Sequence, residues 1–220
     1  MDHLTPGANS AATQPTKQRF ILVLILLVTL LVAYLDRVNV SVLLADNAFL
    51  TDMGIKGQPV QMGMLMTVFL IAYGLANVFL SPLGDILGPR KAMCLSIVLW
   101  CVSLAIGGIA ATFTIMLASR IILGIGEGMH WPMQSKYVKN WFPSNERGKA
   151  NAVWIVGLMA GPAITMPFLT WAIQSYGWRA SFFMLVGLGI VPLILLWFWT
   201  TDNPQQSKSV NKAELDLIEK

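Results

Sequence analysis

Apolar residues fall in six long runs along the chain, and polar or charged residues cluster between these runs. Each run has roughly 20 residues or more, the length that an α-helix needs to cross about 30 Å of hydrocarbon. We therefore predict six transmembrane helices, at residues 20–44, 60–80, 92–111, 115–138, 150–173 and 181–200. The connections between them are short, so neighbouring helices should run antiparallel.

The composition is typical of a membrane protein. Of the 220 residues, 55% are hydrophobic and only 12% are charged, whereas about a quarter of the residues in a soluble domain are charged. The first apolar run follows Lys17 and Arg19 in the manner of a secretory signal. It is too long for a cleaved signal, and five similar runs follow it, so we interpret it as the first transmembrane helix.

The distribution of basic residues predicts the orientation. With the N-terminus in the cytoplasm, eleven of the fifteen lysines and arginines lie on the cytoplasmic side. Only Lys56 and Arg179 lie on the opposite side, and Arg37 and Arg120 lie within the membrane. This bias follows the positive-inside rule and explains the net charge of +4 without a nucleic-acid partner. We expect both ends of the chain in the cytoplasm.

Three segments follow from these patterns. Residues 1–19 are a cytoplasmic tail, residues 20–201 form the six-helix transmembrane bundle, and residues 202–220 begin a cytoplasmic central linker. The end of the linker alternates apolar residues with Lys and Glu. That pattern indicates either the start of an amphipathic helix or a frayed tail.

Four ionisable residues lie inside the predicted helices: Asp36 and Arg37 in the first, and Arg120 and Glu127 in the fourth. Each unpaired charge costs about 2.5 to 3.5 kcal/mol at the centre of a membrane, so we expect all four to converge on a shared interior cavity. Arg120 and Glu127 are seven residues apart and share a helix face. We predict that Asp36 pairs with Arg120. The alternative is a set of static ion pairs that hold the two helices together.

Further candidate substrate contacts occur near these charges. They are Asn39, Tyr73, Trp131 and Gln134, in addition to Arg37 and Arg120. Tyr73 shares a helix face with Asn77, which slightly favours a cavity-facing position over a lipid-facing one. We interpret His130 as a packing residue and predict no metal site, because Glu127 and His130 have no further ligands at suitable spacing.

The loop after the second predicted helix reads Ser81-Pro82-Leu83-Gly84-Asp85-Ile86-Leu87-Gly88-Pro89-Arg90-Lys91. This segment resembles the signature of the major facilitator superfamily, Gly-x-Leu-Ala-Asp-Arg-x-Gly-Arg-Lys/Arg. The matching residues are Leu83, Asp85, Gly88 and Arg90, and those that depart from the pattern are Ser81, Ile86 and Pro89. The resemblance implies a gating role for Asp85, Gly88 and Arg90.

Further motifs are Tyr34-Leu35-Asp36-Arg37-x-Asn39, Arg120-x-x-x-Gly124-x-Gly126-Glu127-Gly128, Trp141-Phe142-Pro143-x-x-Glu146-Arg147, Gly161-Pro162 and Gly177-Trp178-Arg179. Together these motifs resemble the anion:cation symporter branch of that family, close to bacterial permeases for galactonate, glucarate and hexuronates. The resemblance covers nearly the whole chain, from residue 20 to 200. It implies an all-α membrane protein whose six helices form two inverted three-helix repeats, the N-terminal half of a twelve-helix transporter.

The resemblance also implies a function. We expect proton-coupled symport of a small organic anion, a sugar acid, across the bacterial inner membrane by alternating access. Arg37 would bind the carboxylate, Tyr73 would donate a hydrogen bond to the substrate, and Asp36 and Glu127 would carry protons. The proton gradient would drive transport without a cofactor. The expected partners are the small anion, membrane lipid and a C-terminal six-helix half.

Other classes of protein are weighed against a transporter. An enzyme is not expected, because an intramembrane protease would need a serine nucleophile near His130, and the sequence offers no such serine motif. A structural or assembly role for a six-helix half without transport activity is the main alternative, and it predicts that no anion binds. A homodimer of six-helix chains is a further possibility that crosslinking would reveal.

Overall fold

The computed structural model describes residues 14–219, and these residues are almost entirely helical. Most of the expected N-terminal tail, residues 1–13, lies outside the described residues. The helices are α1 (Gln18–Leu43), α2 (Asn47–Asp52), α3 (Pro59–Phe79), α4 (Leu83–Ile86), α5 (Pro89–Gly108), α6 (Phe113–Trp141), α7 (Arg147–Tyr176), α8 (Trp178–Trp199) and α9 (Lys212–Ile218). A single 3-10 turn, Pro204–Gln206, precedes α9.

The six long helices α1, α3, α5, α6, α7 and α8 coincide with the six predicted spans to within three residues at each end. Their starts follow known rules. Pro59 and Pro89 occupy the first turns of α3 and α5, where a missing N–H costs nothing. The side chain of Thr112 accepts a hydrogen bond from the N–H of Ile115 and caps α6. The sequence prediction of six long helices is confirmed.

Helix α6 differs from the other five in its polarity. Those five are long and apolar enough to cross a membrane by length and composition. At 29 residues, α6 is also long enough, but it carries Arg120, Glu127, His130 and Gln134. All four side chains are buried, because α6 packs between α3 and α5. The polar residues of α6 therefore face protein rather than lipid.

The packing of the six helices has an internal symmetry. Helix α3 packs on α6 as α7 packs on α1, and α5 packs on α6 as α8 packs on α1. Helices α5 and α8 also pack on each other. In the described part of the chain, helices α7 and α8 contact each other without a comparable contact between α3 and α5. Apart from this pair, exchange of α1 with α6, α3 with α7 and α5 with α8 reproduces the main contacts, as expected for two inverted three-helix repeats. This agrees with the predicted fold class.

Large apolar side chains remain exposed on the outside of the bundle. Val78, Phe79 and Phe198 are 69%, 72% and 73% exposed. A soluble protein rarely exposes so many large apolar residues in continuous areas, whereas a bilayer is the natural solvent for them. The surface thus agrees with the membrane location predicted from the composition.

Helix α9 is bound to the beginning of α1, at the end of the bundle that we name the linker end. The carboxylate of Glu214 accepts hydrogen bonds from the N–H groups of Gln18 and Arg19, at 3.4 and 3.3 Å, and from the hydroxyl of Thr16. The side chain of Asn211 accepts from the N–H groups of both Thr16 and Glu214. Residue 17, at the N-cap of α1, makes no side-chain cap of its own. Glu214 therefore caps α1 from the far end of the chain, and α9 is a docked helix rather than a frayed tail.

Candidate functional site

The intramembrane charges of α1 and α6 lie close together, but their pairing differs from the prediction. Arg37 donates to Oε2 of Glu127 through Nη2 at 2.6 Å and through Nε at 3.2 Å. Asp36 is completely buried and lies within Coulombic range of Arg120 and Glu127. Within the described residues, Arg120 forms no ion pair with a carboxylate at 4.0 Å or less. The predicted contact between Asp36 and Arg120 is therefore wrong, and the direct pair joins Arg37 to Glu127.

Arg37 rather than Asp36 forms the ion pair with α6 because the two side chains differ in length. Asp36 and Arg37 project about 100° apart around α1. The long guanidinium of Arg37 spans the gap to Glu127 on α6, whereas the short Asp36 stays between helices, near the thiol of Cys101 on α5. The proximity of the four charges agrees with the sequence analysis, whereas the shared interior cavity stays a prediction. The individual partners depend on the rotation of the helices.

Three aromatic rings surround the guanidinium of Arg37, and we name them the aromatic box. The carbon Cζ of Arg37 lies 5.0 Å from the ring centroid of Tyr34, 5.4 Å from that of Phe69 and 4.9 Å from that of Tyr73. A guanidinium over an aromatic face gains about 0.5 to 2 kcal/mol, more where water is excluded. The box therefore holds the cation in place while Glu127 neutralises it.

The pair is exposed on one side only. The Arg37 side chain is 27% exposed, whereas that of Glu127 is 2% exposed. A second anion can thus reach the guanidinium but not the buried carboxylate. Tyr34 and Tyr73 are also half-buried, so their rings border the same opening.

Two glycines of α6 bring α3 close enough to complete the box. A Cβ atom on Gly124 would lie 2.9 Å from the backbone nitrogen of Tyr73 and would meet the carbonyl oxygen of Phe69. A Cβ on Gly128 would meet the carbonyl oxygen of Tyr73 and lie 3.1 Å from the nitrogen of Asn77. Asn77 also donates to the carbonyl oxygen of Gly128, at 3.3 Å. This close approach explains the repeated glycines in the motif around Glu127.

Of the other predicted substrate contacts, Asn39 and Gln134 are fully buried, whereas Trp131 is half-buried. Asn39 is completely buried and accepts a hydrogen bond from the hydroxyl of Ser181 at 3.1 Å. Gln134 is also buried and donates to the carbonyl oxygen of Leu26 at 3.0 Å. Trp131 packs edge-on against Trp154 with ring centroids 5.0 Å apart. In the structure these contacts join helices, and a substrate role for the three residues stays a prediction.

Several buried polar atoms around the site have no hydrogen-bond partner within residues 14–219. They are both carboxylate oxygens of Asp36, Nε and Nη2 of Arg120, Oε1 of Glu127, Nδ2 of Asn39 and both ring nitrogens of His130. The His130 ring packs against Trp100 with centroids 5.4 Å apart, in agreement with a packing role. Buried polar groups without partners are costly and are typical of functional sites. Their concentration on α1 and α6 marks this region as the candidate site.

The predicted gating residues lie at the linker end and make contacts that the sequence did not indicate. Asp85 forms an ion pair with Lys136 of α6. Gly88 has a φ of +82°, which favours glycine in the turn before α5. The N–H of Arg90 donates to the carboxylate of Asp202 at 2.7 Å. The hydrogen bond and charge of Lys136 lower the pKa of Asp85 below its usual value.

A second polar cluster, which sequence reasoning missed, lies at the opposite end of the bundle. Asp52 accepts hydrogen bonds from Nη1 of Arg179 at 2.8 Å and from Nε1 of Trp178 at 3.0 Å. These two bonds lower the pKa of Asp52. The ring of Trp178 also packs edge-on against Phe49, with centroids 5.2 Å apart. The cluster joins helix α2 to the start of α8.

A metal site finds no support in the described part of the chain. Residues 14–219 contain no group of three or more His, Cys, Asp or Glu side chains that could hold a metal ion.

Comparison with known families assigns the chain. The family model described as Major Facilitator Superfamily matches residues 26–219. The chain belongs to the Major Facilitator Superfamily. The fold agrees with this assignment: the xylose transporter XylE from E. coli, in a partially occluded inward-open conformation, superposes with a TM-score of 0.75 at 16% identity, covering 92% of this chain and 55% of that chain.

Similar members of the superfamily are named as transporters of organic anions. A D-galactonate transporter of Escherichia coli O6:H1 is 29% identical over 207 residues, covering 94% of this chain and 47% of the relative. A probable sulfoacetate transporter, SauU of Cupriavidus necator, is 29% identical over 205 residues, covering 93% and 47%. The chain spans about half the length of these relatives. These names confirm the predicted resemblance to sugar-acid permeases and agree with a transporter rather than an enzyme.

Proposed function

We propose that the protein carrying this chain is a proton-coupled symporter of a small organic anion, in particular a sugar acid. It would act in the bacterial inner membrane by alternating access, with both ends of this chain in the cytoplasm. The described helices would form the N-terminal half, and a second six-helix half would close the substrate site from the other side. The proton gradient would supply the driving force.

The observation that carries this proposal is the ion pair of Arg37 and Glu127 inside the aromatic box. A substrate carboxylate can approach Arg37 from its exposed side and form charge-assisted hydrogen bonds with the guanidinium. Tyr73, whose ring borders the same guanidinium, would donate a hydrogen bond to the substrate. Both the substrate and Glu127 would then compete for a single cation.

Competition for Arg37 couples the substrate to protons. A buried carboxylate without its cation costs several kcal/mol. When the substrate takes Arg37, Glu127 lowers this cost by binding a proton, so the substrate and proton are carried together. The sequence alone predicted that Asp36 pairs with Arg120 and that both Asp36 and Glu127 carry protons. The geometry instead favours Glu127 as the coupling carboxylate, with Asp36 near Arg120 as a second proton site.

The single exposed guanidinium of Arg37 favours a small organic anion that carries a carboxylate. One guanidinium binds one carboxylate, and the box rings can pack against the C–H faces of a sugar-acid chain. Asn39, Arg120, Trp131 and Gln134 would contribute from deeper in the bundle if their present contacts open. Galactonate and sulfoacetate, the substrates in the names of two relatives, are both small organic anions with a carboxylate.

The linker end would act as a gate between the two states. Asp85, Gly88 and Arg90 lie in the turn between α3 and α5, and Asp85 and Arg90 bind Lys136 and Asp202. These contacts would stabilise one arrangement of the helix ends and would break when the two halves rock.

Transport is tested by uptake of radiolabelled D-galactonate into liposomes that contain the full-length gene product. An inward proton gradient should drive accumulation, and a protonophore should abolish it. Accumulation that is independent of the gradient would exclude proton coupling. Absence of both uptake and binding for sugar acids and for sulfoacetate would overturn the proposed function and favour a structural role.

A further inference from the structure

Two glycines of α7 face α1, one helical turn apart, and they meet different side chains. A Cβ atom on Gly161 would lie 2.8 Å from Cβ of Tyr34 and 3.1 Å from its Cγ. A Cβ on Gly157 would lie 3.3 Å from the methyl carbons Cδ1 of Leu27 and Cδ2 of Leu30. Gly161 therefore faces the Cβ and Cγ atoms of a tyrosine, next to the backbone, whereas Gly157 faces the terminal methyl groups of two flexible leucines.

This difference determines what an added methyl group would displace. The two leucine tips can rotate away from a methyl on residue 157 with little disturbance. The Cβ of Tyr34 is fixed to the backbone of α1, so a methyl on residue 161 can be accommodated only if Tyr34 tilts or α7 moves away from α1. Contacts between real Cβ atoms and their neighbours are essentially never as short as 2.8 Å.

Tyr34 is one wall of the aromatic box, and its position therefore affects Arg37. Its ring centroid lies 5.0 Å from the guanidinium carbon of Arg37, three residues along the same helix. A tilt of the tyrosine would remove one of the three aromatic faces around the cation. The guanidinium would then be held less firmly in the orientation in which it meets a carboxylate.

We infer that Gly161 is a positioning residue for substrate binding, because the space it leaves on α7 seats Tyr34 against Arg37. This inference rests on the proposed function, in which Arg37 binds the substrate carboxylate. Gly161 acts through Tyr34 and does not itself contact the substrate. Substitution of Gly161 should therefore weaken binding more than it slows the transport cycle.

The experiment compares Gly161→Ala with the matched control Gly157→Ala in the full-length gene product, by initial rates of D-galactonate uptake into liposomes. Gly161→Ala should raise KM about tenfold, a change of about 1.4 kcal/mol, with the maximal rate within twofold of wild type. Gly157→Ala should leave KM within twofold. Equal increases in KM for the two variants would overturn the inference.

A double variant separates the action on Tyr34 from a general loosening of α7. In a Tyr34→Gly background the added methyl meets neither the Cβ nor the ring of residue 34, so Gly161→Ala should cause no further rise in KM. A full additional tenfold rise would show that Gly161 acts by another route. If Gly161→Ala alone fails to fold, the double variant should fold as well as Tyr34→Gly alone, and a double variant that fails where Tyr34→Gly folds would refute the role of Tyr34.

The failure of this inference can be distinguished from the failure of the proposed function. Wild-type uptake is measured first, and its absence with every anion tested would count against transport alone. The same variants are then compared by thermal unfolding in detergent. Gly161→Ala should lower Tm more than Gly157→Ala does, and a Tyr34→Gly background, which lacks the Cβ and the ring, should remove that difference. If the difference persists without the tyrosine ring, Gly161 does not act through Tyr34.

Discussion

Replacement of Arg37 by lysine changes the chemistry of the site while it keeps the charge. Arg37 donates two hydrogen bonds to Glu127 and lies within 5.4 Å of three aromatic ring centroids. A lysine ammonium has no planar fork and packs less well on aromatic faces. Loss of one of the charge-assisted hydrogen bonds that the guanidinium fork would donate to the substrate carboxylate accounts for about 1.5 kcal/mol. The weaker aromatic contacts, which orient the cation toward the substrate, account for a similar amount. The expected loss of roughly 3 kcal/mol corresponds to about a hundredfold in Kd.

The assay for Arg37→Lys is equilibrium binding of radiolabelled D-galactonate to the purified full-length gene product. Arg179→Lys is the matched control, because Arg179 lies at the opposite end of the bundle with its side chain 47% exposed. The control should change Kd less than twofold. Wild-type affinity in Arg37→Lys would refute the reasoning and would favour the alternative in which Arg37 and Glu127 only hold helices together. The same conclusion would follow if both arginine variants lost affinity equally.

Two further predictions concern contacts outside the site. Glu214→Ala removes the buried cap of α1 and should lower the free energy of unfolding by roughly 1 kcal/mol, or Tm by about 2 to 4 °C. The control Asp216→Ala changes an exposed residue of the same helix and should leave Tm unchanged. Equal Tm values for the two variants would mean that Glu214 does not cap α1. Asp52 has a lowered pKa in the folded protein, so its stabilising contribution is complete above the unfolded value of about 3.9 and is lost as the pH falls through the lower folded value. Wild type should therefore be more stable than Asp52→Asn at pH 7, and this advantage should vanish toward pH 2. A constant difference in thermal unfolding temperature across that range would contradict the role of the Asp52 carboxylate.

The helices could be predicted from the sequence because each apolar run has the length of a membrane span. Even α6, whose polar residues lower its hydropathy, was recognisable from the length of its apolar segments and the short loops beside it. The convergence of Asp36, Arg37, Arg120 and Glu127 was also predictable, because isolated charges are costly in hydrocarbon. The ion pairs that these residues form could not be predicted. A modest rotation of α1 decides whether Asp36 or Arg37 faces α6, and the sequence does not specify that rotation.

The aromatic box and the contacts at the linker end could not be predicted from local sequence patterns. Phe69 is one apolar residue among many in α3, and nothing in its neighbourhood distinguishes a box wall from a lipid-facing ring. Tyr34 could have been found from its position three residues before Arg37, one turn away on the same helix. Asp202 and Glu214 bind partners 112 and 195 residues earlier in the chain. Such contacts depend on the assembled bundle, which local patterns do not describe.

The central claim is that substrate and proton compete for the charges of one ion pair, and proton uptake on binding tests it most directly. D-galactonate is added to weakly buffered full-length protein at constant temperature, and the change in pH is followed with an indicator dye. Wild type should take up protons when the anion binds, because Glu127 becomes protonated as it loses Arg37. Glu127→Gln, which has no carboxylate to protonate, should bind the anion and take up fewer protons. Binding to wild type without proton uptake, or equal uptake by both proteins, would contradict the account.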